Sequence, residues 1–205
     1  MAPRAAKGSE RVKARRLDWP WRGCVAQSGV TFNDEAMDYL SLIDRSRTIY
    51  KRSDVTPIFA QPAAFAALVE DLVKPYRDER IDIVAGLDAM GFIVGTALAL
   101  KLGAGFVPVR KGGKLPVAHD RELTTDYSGT VKTLELRTGA FAPGKRVLLA
   151  DEWIETGAQA RAAIALIERA GGVVVGIVAI GFRNNEKTAA LWARYRCHGV
   201  WPEQV

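Results

Sequence analysis

Three short segments carry residue types that could do chemistry together. In the first, the apolar run Arg146-Val147-Leu148-Leu149-Ala150 meets Asp151-Glu152, then Trp153-Ile154-Glu155-Thr156-Gly157-Ala158-Gln159. Adjacent carboxylates at a strand end accept hydrogen bonds from a diol or hold a hydrated Mg²⁺. Thr-Gly opening a helix offers a phosphate successive backbone N–H groups, a hydroxyl and the positive end of the dipole. A diol site followed by a phosphate cradle suits a ribose 5-phosphate. The plainer reading, that the acids merely cap the helix, does not account for the strand and the Thr-Gly together. In the second segment, Ala85-Gly86-Leu87-Asp88-Ala89-Met90-Gly91, small residues let a ligand approach the backbone. In the third, Val109-Arg110-Lys111-Gly112-Gly113-Lys114-Leu115-Pro116, cations among glycines make a flexible clamp for polyphosphate.

These segments need a scaffold, and the hydrophobic pattern supplies one. Met37, Leu40 and Ile43 give helical spacing within 32–50; Pro62 opens a helix whose face is Phe65, Leu68, Val69 and Leu72, stopping before Pro75. Strands are expected at 81–85, 106–110, 146–150 and 173–180, and helices at 91–102 and 158–170. Strand, helix, strand, repeated, predicts an α/β fold with a parallel sheet covered on both faces. Ligands then bind beyond the carboxyl ends of the strands, where all three segments lie. The polar stretch 111–129 shows no periodicity and reads as a loop, either a lid or unstructured.

Composition narrows the function classes. The longest apolar run, Val173 to Phe182, is ten residues with two glycines, too short for a membrane span. Net charge is +6, yet residues 1–16 alone carry six cations against Glu10. The body is thus near neutral, which argues against a nucleic-acid-binding surface. Residues 1–30 read as a basic, flexible arm and 31–205 as a single domain. Cys24 and Cys197 fit no metal or redox spacing, so both thiols are expected free, in a reducing cytoplasmic setting.

The chain resembles type I phosphoribosyltransferases of the adenine phosphoribosyltransferase group. The resemblance runs from about Asp54 to Ile180, through Asp54-Val55-Thr56-Pro57, Gly86-Leu87-Asp88-Ala89-Met90-Gly91-Phe92, Arg110 to Pro116 and the Asp151–Gln159 loop. It implies a parallel sheet flanked by helices, a small N-terminal hood within 31–60 and a long flexible loop. It also implies transfer of ribose 5-phosphate from phosphoribosyl pyrophosphate (PRPP) to a nucleobase, adenine first, with Mg²⁺ and release of pyrophosphate, by a homodimer. By the same resemblance, Asp151 and Glu152 hold the ribose hydroxyls and, indirectly, the metal. Glu155, Thr156, Gly157, Ala158 and Gln159 hold the 5-phosphate. Asp88, Ala89 (their peptide often cis in the family), Met90, Arg110, Lys111 and Lys114 serve the pyrophosphate. Asp126, beside Tyr127 in the long loop, occupies the place of a catalytic acid/base.

Several positions depart from the family pattern. Met90 stands where an Arg is usual, and Ala158-Gln159 replace Gly-Thr. Arg52-Ser53 replace the Phe-Arg whose Phe stacks on adenine, which leaves Arg52 on the base side. Glu155 replaces an Ala; it is either a base-side proton acceptor, as in 6-oxopurine enzymes, or turned to solvent or an Arg. Trp153 either stacks on the base, the reading preferred here, or packs under the hood. The alternatives to an adenine enzyme are a transferase for a 6-oxopurine or unusual base and a non-catalytic PRPP-binding regulator.

Overall fold

The structure, a computed structural model, describes residues 38–46, 53–125 and 129–201. Among the described residues, seven strands form one sheet: β1 (Ile83–Leu87), β2 (Gly105–Lys111), β3 (His119–Thr125), β4 (Val131–Arg137), β5 (Arg146–Ile154), β6 (Val173–Phe182) and β7 (Arg196–Gly199). Their order is β3-β4-β2-β1-β5-β6-β7. Strands β2, β1, β5, β6 and β7 run parallel, the first four where the apolar runs predict strands and β7 at a polar segment where none was expected, whereas β3 and β4 are antiparallel additions at one edge. The sheet is therefore mixed rather than purely parallel.

Helices α1 (Thr56–Phe59), α2 (Pro62–Val73) and α3 (Met90–Leu102) pack on one core and α4 (Ala158–Arg169) on the other; α5 (Ala189–Arg194) leads into β7. Pro62 sits at the first position of α2, where its missing N–H costs nothing. The strands are apolar throughout because successive side chains enter different cores: Leu148 the first, with Leu68, Leu98 and Val178, and Leu149 the second, with Leu166, Ile167 and Ile177. Helix α3 lies close on the sheet because it presents glycine. A Cβ on Gly91 would stand 2.8 Å from the Ala150 carbonyl oxygen, and one on Gly95 2.9 Å from the Phe106 ring.

Two sequence expectations are corrected. The stretch 111–129, expected as a loop, contains β3, whose His-Asp-Arg-Glu-Leu-Thr-Thr sequence buries only Thr124. An edge strand lying on α4 through a contact of Arg169 with Glu122 needs no apolar alternation. The helix expected within 32–50 is, in its described part, a 3₁₀ turn over Tyr39–Leu42. The chain turns extended at Ile43 so that Asp44 can pair with Asp54. Cys197 is a free thiol whose pKa burial pushes up to about 12, while Cys24 lies outside the described residues.

Four carboxyls are held below the usual range: Asp82 by the Arg146 backbone N–H, Glu135 by that of Gly113, Glu70 by Lys101 and Asp54 by the Thr56 hydroxyl. A depressed folded-state pKa contributes stability that is complete above the unfolded value and lost as pH falls through the folded one. The urea midpoint is therefore expected to drop on acidification below about pH 4, and Asp82→Asn to flatten that drop; an unchanged slope would show that these bonds carry no linkage.

Candidate active site

Strand β5 continues past Ala150 without breaking its ladder, pairing Asp151 with Ala179 and Ile154 with Phe182. Asp151 and Glu152 therefore sit on rigid backbone, both half-buried. Asp151 Oδ1 accepts the Glu152 backbone N–H at 2.8 Å, and Glu152 Oε1 accepts the Trp153 indole N–H at 2.9 Å. Glu155 and Thr156 form the turn into α4, and Gly157 takes the left-handed conformation (φ 70°) that glycine adopts without strain. Thr156 Oγ1 accepts the Ala158 N–H at 3.4 Å, and the Asn185 amide donates to the Glu155 carbonyl at 3.0 Å, pinning the turn. Thr125, Asp151, Trp153, Glu155, Thr156 and Gln159 help to line an open cleft.

The clamp lies at the adjacent ends of β1 and β2. The Asp88–Ala89 peptide is cis, and the Asp88 carboxylate is buried. Its Oδ2 stands 3.5 Å from Lys114 Nζ and from the Lys111 N–H, and 3.9 Å from Arg110 Nε. The Arg110 guanidinium also donates to the Lys114 carbonyl at 3.0 Å. Glu135, which the sequence reading passed over, anchors this loop: it is buried and accepts the Gly113 and Leu115 N–H groups at 2.8 and 3.4 Å. Its signal was an acid between Leu134 and Leu136 in a strand, an arrangement that buries a charge only if something pairs with it.

Strand β1 pairs with both β2 and β5, so the acids, the phosphate turn and the cationic loop share one end of the sheet. Met90 is elsewhere engaged, opening α3 and packing on the first core. The Trp153 ring meets Trp201 edge-to-face at 5.5 Å. Arg52 and Asp126 lie outside the described residues. Among the described residues no group of three or more His, Cys, Asp or Glu side chains gathers as a metal site. The Asp151-Glu152 pair suits an ion that brings its other oxygen ligands with a phosphate substrate, the habit of Mg²⁺.

No protein-family model matches the chain. It is 44% identical over 140 residues to adenine phosphoribosyltransferase of Thermobifida fusca, covering 66% of this chain and 79% of that protein. To the Dinoroseobacter shibae enzyme of the same name it is 51% identical over 126 residues, 60% of this chain and 68% of that one. Among solved structures, the Giardia lamblia enzyme complexed with 9-deazaadenine superposes with a TM-score of 0.75 at 29% identity, covering 83% of this chain and 98% of that one. The Rhodothermus marinus enzyme gives a TM-score of 0.66 at 35% identity, covering 79% and 94%. With these identities spread over most of the relatives' length, the chain belongs to the adenine phosphoribosyltransferase family.

Proposed function

We propose that the protein transfers ribose 5-phosphate from PRPP to adenine, releasing pyrophosphate, as a homodimer in the cytoplasm. The observation that carries this reading is the convergence of the Asp151-Glu152 pair, the Thr156-Gly157 turn and the Arg110-Lys114 loop on one sheet end. Asp151 and Glu152 accept the ribose hydroxyls, and the amides from Glu155 to Gln159 with the Thr156 hydroxyl hold the 5-phosphate. Arg110, Lys111 and Lys114 draw charge from the departing pyrophosphate while the anomeric carbon passes through an oxocarbenium-like state. Mg²⁺, held by Asp151 and Glu152 together with PRPP, would supply further neutralisation of the leaving group. Glu155 is the described group that could move a proton at the base, and the roles that the resemblance implies for Asp126 and Arg52 fall on residues outside the described ones.

Lys114, parked beside Asp88, must be released onto pyrophosphate. Lys114→Ala is expected to raise the KM for PRPP about 10- to 100-fold, the weight of one charge-assisted hydrogen bond, with the KM for adenine unchanged. Steady-state kinetics varying each substrate in turn decides this. The function itself is tested by pyrophosphate release from PRPP and Mg²⁺ with adenine, hypoxanthine, guanine, xanthine, uracil and orotate in turn. Adenine is expected to give the highest kcat/KM; preference for a 6-oxopurine would overturn the choice of base and point to Glu155 as its reader.

A further inference from the structure

The half-buried Trp153 indole is held by two packing partners and one hydrogen bond. Its ring lies against Gly181, its cross-strand partner, so closely that a Cβ there would fall 2.0 Å from the ring. Trp201 meets it edge-to-face, with ring centroids 5.5 Å apart at 70°. Trp201 is itself fixed, through its backbone N–H on the Ile180 carbonyl at 2.8 Å and the Arg45 guanidinium 4.9 Å over its ring. An indole so confined has one polar atom to offer, and that N–H points at Glu152 Oε1 at 2.9 Å.

We propose that Trp153 is a positioning residue, acting through Glu152 rather than by stacking on the base. A glutamate carried on rotatable bonds does not by itself hold its carboxylate in one place; a rigid donor does. The carboxylate has about four lone-pair sites, so the indole takes one and sets the direction of the rest toward the ribose hydroxyls. Arg45, next to the Asp44–Asp54 bridge, lies over the Trp201 ring and so helps to fix the aromatic neighbour of the indole. This role rests on the reading of Glu152 as a ribose ligand.

Trp153→Phe keeps a ring against Gly181 and Trp201 and deletes only the donor. On the full chain, calorimetric affinity for ribose 5-phosphate is expected to fall about tenfold, the low end for a hydrogen bond to a charged group. The KM for PRPP should rise by the same factor and the KM for adenine should stay put. In a Glu152→Ala background, which removes the acceptor of the indole N–H, Trp153→Phe should weaken ribose 5-phosphate binding no further. Trp201→Phe, which trims aromatic packing but removes no donor to Glu152, should leave ribose 5-phosphate affinity intact. A rise in the adenine KM with ribose 5-phosphate binding unchanged would instead show stacking on the base. Additive losses in the Glu152→Ala background, or a Trp201→Phe loss equal to that of Trp153→Phe, would show packing alone; each overturns the proposal. A wild-type chain that binds no ribose 5-phosphate would defeat the functional reading itself, whereas equal binding by wild type and Trp153→Phe defeats only the positioning role.

Discussion

Asp151→Asn is expected to lower kcat with PRPP and adenine about 100- to 1,000-fold, the usual cost of removing one preorganised electrostatic partner of a transition state. The substitution is nearly isosteric, and an amide oxygen can still accept the Glu152 backbone N–H that Asp151 Oδ1 accepts at 2.8 Å. Strand β5 is held there by the pairing of Asp151 with Ala179 of β6, so the fold should not notice the change. What disappears is negative charge beside a ribose ring that becomes cationic as pyrophosphate leaves. The loss should therefore fall on kcat more than on affinity for ribose 5-phosphate, with the melting temperature unchanged. A variant that keeps its rate and loses only affinity would make the carboxylate a binding group without catalytic weight.

A large stability effect is expected at Gly91. A methyl there would meet the Ala150 carbonyl oxygen at 2.8 Å, the Asp151 Cα at 3.1 Å and the Asp151 carboxylate at 3.2 Å. The first two are backbone atoms of a central strand and cannot swing aside as a side-chain tip can. Helix α3 must then lift from the sheet, and overpacking of this kind costs about 1–3 kcal/mol. For a chain of this size that is a fall in melting temperature of about 3–10 °C. The same displacement pushes on Asp151, so affinity for PRPP should fall with stability. Thr96→Ala, on the exposed face of the same helix, should change stability by less than about 0.5 kcal/mol. Thermal unfolding of the two variants side by side checks the contrast; equal effects would mean that α3 adjusts freely.

What could be read from the residues, and what could not, follows from how each element is buried. The parallel strands and helices α2, α3 and α4 were legible because both faces of the inner sheet are apolar, and because Pro62, Gly103 and Gly171-Gly172 mark where helices start or stop. Strand β3 was not, since a polar edge strand held by α4 and by its partner β4 shows no hydrophobic period. Strand β5 was read too short because its last residues include acids; backbone pairing to β6 continues regardless of the side chains. In the site, the Asp151 loop and the Arg110 loop were legible as local motifs. Glu135 was not, because its work is to accept N–H groups from a loop about twenty residues away, which only tertiary structure reveals. Trp153 shows the same limit: its packing on Gly181 and Trp201 joins residues far apart in sequence, which only tertiary structure reveals.

The most direct test of the central claim is to follow AMP and pyrophosphate together when the full chain is mixed with adenine, PRPP and Mg²⁺. One AMP formed for each pyrophosphate released, with neither appearing when adenine is omitted, is the predicted result. PRPP bound and retained with no AMP formed would contradict it and make the acid pair and cationic loop the parts of a sensor.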